Sequence, residues 1–139
     1  MQDPTATVQY TGNLRSNLTH YLSGNSIITD APKDNHGKGE AFSPTDLVAT
    51  ALAACMITVI GIHLQQQNID GVEMQASIKK EMASAPRRIS KVIVELVFSG
   101  KELTENQRDS VERIAYACPV AKSLHPDIVQ DIQISYRYS

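Results

Sequence analysis

Apolar positions along this chain repeat with two different periods, and the switch between them sets out the elements. Residues 5–12 (TATVQYTG) place Ala6, Val8 and Tyr10 on one side, predicting an opening strand. Gly12-Asn13 reads as a turn, and Asn17 to Asp30 as a second strand or pair broken near Gly24-Asn25. The segment Asp30 to Gly39, DAPKDNHGKG, is a loop by composition. The period then changes. From Ser43 to about Gln67, SPTDLVATALAACMITVIGIHLQQQ, the residues Val48, Leu52, Cys55, Val59 and Ile62 fall on one helical face. Leu47, Ala51, Ala54, Met56, Ile57 and Ile60 fill the other faces, so the helix is expected to be buried on all sides. Ser43, Pro44 and Asp46 carry the signals of its first turn: cap, first helical position and capping-box acid.

Beyond Gly71 the period returns to two. Val72, Met74, Ala76 and Ile78 alternate with polar residues, then Val92, Val94, Leu96 and Phe98 do the same after a turn at Ser84-Ala85-Pro86. Thr104, with Gln107 three residues on, opens a second helix whose buried stripe is Val111, Ile114, Ala115, Cys118 and Ala121. Pro119 must break it, because proline has no N–H for the carbonyl of Ala115. Ile132, Ile134, Tyr136 and Tyr138 alternate in a last strand. Helices and strands are segregated, which predicts an α+β fold with a largely antiparallel sheet.

At 139 residues the chain reads as a single domain, 1–139, with a core of its own. A net charge of −2 and two phenylalanines with no tryptophan give no basis for nucleic acid or an anionic membrane surface as partner. Lys79, Lys80, Arg87, Arg88 and Lys91 cluster about the hairpin turn and read as a solvated face. The first ten residues lack a secretion-signal pattern, and the apolar run Leu47 to Ile62 is 16 residues. A membrane span needs about 20. A cytoplasmic protein is therefore expected, in which two cysteines are core residues, ligands or redox thiols.

Those cysteines, Cys55 and Cys118, lie 63 positions apart, each on the apolar face of a predicted helix. Each reads either as a small buried core residue or as a redox thiol. The break at Pro119 leaves Cys118 at the N-cap of a short helix, where free N–H groups favour a thiolate. The four histidines, His20, His36, His63 and His125, show no metal-ligand spacing with the cysteines, so no metal or other cofactor is expected. His63 and His125 read as histidines near helix C-termini. HGKGEAF is not a P-loop, since no G-K-S/T closes it, and stands only as a weakly supported anion-holding loop.

TDAPKDNHGKGEAFSPTDLVATALAACM, followed downstream by ACPVAKSLHP, resembles the OsmC/Ohr family of osmotically inducible and organic hydroperoxide resistance proteins. The resemblance rests on the alanine-rich helix bearing the first cysteine, the Cys-Pro-Val at the second, and their separation. It implies an OsmC-like fold: a curved, mainly antiparallel sheet with two central helices in an intertwined homodimer. It also implies thiol peroxidase chemistry in an oxidative stress response. Cys55 would attack an organic hydroperoxide, Cys118 would resolve the sulfenic acid, and a dithiol such as a lipoylated protein would reduce the disulfide. Arg15, in TGNLR, matches the arginine that family uses to hold the thiolate and polarise the peroxide.

The family glutamate that orients this arginine falls at Thr45 here; Asp46 and Glu40 are the nearby acids that stand as possible partners. The departure places the chain nearer the OsmC-like branch. It also motivates an alternative: a non-catalytic or weakly active protein that binds a small apolar ligand at the dimer cleft.

Overall fold

A computed structural model describes residues 2–138. Its contacts divide the chain into two compact units, Met1–Val48 and Ala49–Ser139.

The first unit is a meander of β1 (Ala6–Gly12), β2 (Arg15–His20) and β3 (Ser26–Asp30), all antiparallel. Its register sets Val8, Leu18 and Ile27 in one cross-strand row and Arg15 opposite Asp30. Val8, Tyr10, Ile27 and Ile28 remain exposed. After β3 comes the predicted loop, which holds a single 3₁₀ turn, Lys33–Asn35.

Helix α1 (Pro44–Gln66) follows. Its start is a reciprocal cap: Ser43 N donates to Asp46 Oδ2 at 2.9 Å, and Asp46 N donates to Ser43 Oγ at 3.0 Å. At the far end Asn68 turns left-handed and Ile69 N closes on Leu64 O at 2.9 Å, which stops the helix.

In the second unit β4 (Val72–Ala83) and β5 (Arg88–Gly100) form the long antiparallel hairpin, and β6 (Val129–Tyr136) lies on the other side of β5. The β5–β6 pair is parallel, from Lys91↔Val129 to Phe98↔Tyr136. Helices α2 (Glu105–Ala115) and α3 (Pro119–Ser123) make the crossover that a parallel pair requires. Both sheets are three-stranded, and every pairing except β5–β6 is antiparallel. The capping box at Thr104 and Gln107 is present, and Pro119 separates the two helices as expected.

Two core clusters line up along β5. Val92 and Val94 pack with Ala49, Leu52, Ala53, Met56 and Cys118; Leu96 and Phe98 pack with Ile60, Leu64, Leu103, Val111 and Ala115. The helix therefore departs from the expectation of burial on all sides. Its buried stripe is Ala49, Leu52, Ala53, Met56, Ile60 and Leu64, rotated from the predicted face, and Val48 (41 % exposed) and Ile62 (49 %) lie outside it. An almost uniformly apolar helix gives no periodic signal to select the face that packs. At 23 residues α1 is also longer than the apolar run, and by length and composition alone it could cross a membrane; a soluble protein's core helix passes the same test.

Candidate active site

Chemistry-bearing side chains gather in two places, one in each unit. In the second unit α1 carries Cys55, half-buried, and the break after α2 carries Cys118, buried. Cys118 is extended at the N-cap of α3 with Pro119 at the first helical position, and its Sγ accepts from Ala121 N at 3.4 Å. Both cysteines are free thiols, and Cys55 packs against the buried cluster that contains Cys118. Leu52, Met56, Val92 and Val94 belong to the buried cluster around Cys118, against which Cys55, Val120 and Ala121 also pack.

This setting reverses one expectation. Burial pushes the Cys118 thiol up from its ordinary value; the N–H groups of Ala121 and Val120 pull the other way, and the neighbouring Cys55 adds to the rise. Desolvation outweighs the cap of a helix of only five residues. Cys118 is therefore a protonated thiol at neutral pH, not the thiolate its N-cap position predicted.

In the first unit Arg15 opens β2 directly across from Asp30, the last residue of β3. Arg15 Nε donates to Asp30 Oδ1 at 2.6 Å and Nη2 to Asp30 Oδ2 at 2.8 Å, a side-on bidentate pair. Asp30 is 1 % exposed and Arg15 32 %. Asp30 Oδ2 also accepts the backbone N–H of Glu40 at 3.0 Å. Folding of the intervening loop delivers that N–H: Gly37 N and Gly39 N bond back to Pro32 O and Ala31 O, and a Cβ on Gly37 would run into the Ala31 carbonyl. Arg15 and the Glu40 N–H, with a smaller contribution from Lys38, hold the Asp30 carboxyl below its usual range. In return the Asp30 hydrogen bond raises the Arg15 guanidinium, so both stay ionised.

Among the sequence-derived candidates, Cys55 packs against the buried cluster that contains Cys118, and Glu40 Oε1 lies 3.2 Å from Arg15 Nη2. Asp46 is occupied at the α1 cap. Thr45 has its hydroxyl 3.2 Å from Ser43 Oγ. Sequence reasoning missed Asp30, which it took as the edge of a loop. The available signal was an opposite-charge cross-strand pair. It was hidden because a turn centred on Gly24-Asn25 gives the wrong register; the observed pairing of Thr19 with Ser26 puts the centre earlier. Among the described residues, no three His, Cys, Asp or Glu side chains gather as a metal site.

A family model described as OsmC-like protein matches residues 37–133. A solved structure from Psychrobacter arcticus, named for osmotic stress induction and a detoxification response, is 48 % identical with TM-score 0.87, covering 95 % of this chain and 96 % of that one. An organic hydroperoxide resistance protein from Legionella pneumophila is 19 % identical with TM-score 0.70, over 95 % of this chain and 97 % of that one. Another from Elizabethkingia anophelis, with thiocyanate bound, is 16 % identical with TM-score 0.68, over 96 % and 97 %. At those lower identities the likeness is one of fold. A search of the curated proteins finds no match.

Proposed function

The chain belongs to the OsmC-like protein family, and from that premise we propose that it is a thiol-dependent peroxidase that reduces organic hydroperoxides. The observation that carries the reading is two free thiols in one apolar cluster, Cys118 buried within it and Cys55 packed against it. Cys55, as thiolate, attacks the terminal oxygen of the hydroperoxide; an S–O bond forms, the O–O bond breaks, and the alkoxide leaves and takes a proton to become the alcohol. Cys118 gives up its proton and attacks the Cys55 sulfenic acid, forming a disulfide and releasing hydroxide, which is protonated to water. A dithiol reductant, a lipoylated protein in this reading, restores both thiols by exchange and is itself oxidised. Arg15 supplies the guanidinium that polarises the peroxide oxygen.

The same proposal makes the protein a cytoplasmic homodimer with a role in oxidative stress and one functional domain, 1–139. Support for the dimer comes from the apolar residues left exposed on α1 and on β1 and β3: Val48, Ile62, Val8, Tyr10, Ile27 and Ile28. Light scattering on the purified chain should give twice the mass of 15.2 kDa. The alternative, a non-catalytic binder of an apolar ligand, rested on the missing glutamate at Thr45. Asp30 weakens that argument by giving Arg15 a buried carboxylate. Activity decides between them. Steady consumption of cumene hydroperoxide with a dithiol, lost in Cys55→Ser, supports the peroxidase; no consumption with both thiols retained leaves the binding reading.

A further inference from the structure

We propose that Asp30 is the positioning residue for Arg15, locking the guanidinium so that Nη1 is the donor it presents to the peroxide. The inference rests on the peroxidase reading above. It starts from how the guanidinium is used. Arg15 spends Nε and Nη2 on Asp30, and Nη2 also on Glu40. Among the described residues nothing bonds to Nη1, so both of its N–H groups are open to a ligand.

The two carboxylates on Arg15 differ in kind. Asp30 is 1 % exposed, makes two short parallel bonds and is itself gripped by the Glu40 N–H. Backbone bonds fix its place as well: Arg15 pairs with Asp30 in the β2–β3 ladder, Asp30 N donates to Phe42 O at 3.0 Å, and Ala31 N donates to Leu14 O at 3.0 Å. Glu40 is 63 % exposed with one contact at 3.2 Å, the kind of ion pair that solvent screens. Thr45 carries no charge, and Asp46 is engaged in the α1 cap. The carboxylate that fixes the arginine thus comes from the end of β3 rather than from the first turn of α1. Arginine rather than lysine is needed, because only a planar fork can be held on one edge and offer the other.

A double-mutant cycle tests the assignment. Asp30→Asn keeps an oxygen for the Glu40 N–H but removes the charge and the paired acceptor. The expected result is a fall in kcat/KM for cumene hydroperoxide of about tenfold or more, with a smaller fall in Glu40→Gln. In an Arg15→Ala background the same Asp30→Asn change should have no further effect, because Asp30 acts only through Arg15. Proton exchange at the Arg15 Nε–H, followed by nitrogen-15 NMR, should be slow in the wild type and in Glu40→Gln but fast in Asp30→Asn. Unchanged kcat/KM in Asp30→Asn, or an equal loss in the Arg15→Ala background, overturns the proposal. If Asp30→Asn does not fold, Arg15→Lys keeps the charge without the fork and should fall as far as Arg15→Ala; wild-type activity there overturns it. A wild-type protein that leaves hydroperoxide unconsumed removes the peroxidase reading and the catalytic role together, whereas normal wild-type turnover with an unaffected Asp30→Asn removes only the role of Asp30.

Discussion

The Arg15–Asp30 pair and the Cys55–Cys118 pair treat burial in opposite ways. Asp30 is buried and stays charged, because a bidentate guanidinium and a backbone N–H replace the water it gives up. Cys118 is equally buried and stays neutral, because two weak backbone contacts do not offset the loss of solvent. What decides the charge of a buried group is the strength of the partners waiting for it, not burial itself. One pair is suited to hold a donor steady across neutral pH. The other is suited to keep a thiol in reserve until its neighbour is oxidised.

The contrast can be broken most severely at Cys55. Cys55→Ser should reduce hydroperoxide consumption by about a thousandfold or more, because the proposed mechanism takes its nucleophile from Cys55, as a stopped assay with cumene hydroperoxide will show. Cys118→Ala should still consume one equivalent but accumulate a Cys55 sulfenic acid trappable by dimedone, and it should lose repeated turnover with a dithiol. Equal, mild losses in both variants would contradict the separate roles.

pH sharpens the comparison at both ends. Burial, the largest cause of the raised Cys118 value, persists after Cys55 has been oxidised. Disulfide closure should therefore accelerate as pH rises through and beyond the ordinary cysteine range of about 8.5. The linked stability runs the other way: the neutral thiol favours the folded state below that range, and the contribution is lost as pH rises through the raised value. For Asp30 the sign is opposite. Its depressed value stabilises the fold above the ordinary aspartate pKa of about 3.9, and that contribution is lost as pH falls through the folded value. Thermal melts in acid should show the loss in wild type and a flatter profile in Asp30→Asn.

The smallest expected effect concerns a third polar group, Tyr136. Its hydroxyl is buried without a hydrogen-bond partner among the described residues, and burial pushes its pKa up to about 12. The ring stacks on Phe98 at 5.2 Å, with the Arg108 guanidinium 4.2 Å from its centre. Tyr136→Phe keeps the stack and removes the orphan, so the melting temperature should hold or rise slightly. A clear fall would mean that the hydroxyl has a partner after all.

The chain announces its local structure and hides its pairings. The caps at Ser43 and Thr104, the break at Pro119 and the period-two runs of β4 and β5 are read from neighbouring residues, and the structure has each of them. The parallel placement of β6 depends on a crossover through α2 and α3, which no local pattern records. The packed face of α1 was illegible for a different reason: apolar residues on every side leave the choice to its surroundings. At the site, family likeness singled out Cys55, Cys118 and Arg15, but the carboxylate on Arg15 lay in a strand register that a shift of the turn centre conceals. The neutral state of Cys118 lay in tertiary burial that its N-cap position does not reveal.

The most direct measurement is a single turnover on the reduced protein followed by intact mass and peptide mapping. One equivalent of cumene hydroperoxide should remove the mass of two hydrogens per chain, release cumyl alcohol, and yield a peptide in which Cys55 is joined to Cys118. Unmodified mass with both thiols still open to alkylation, or a disulfide that joins Cys55 to Cys55 of another chain, would contradict the account.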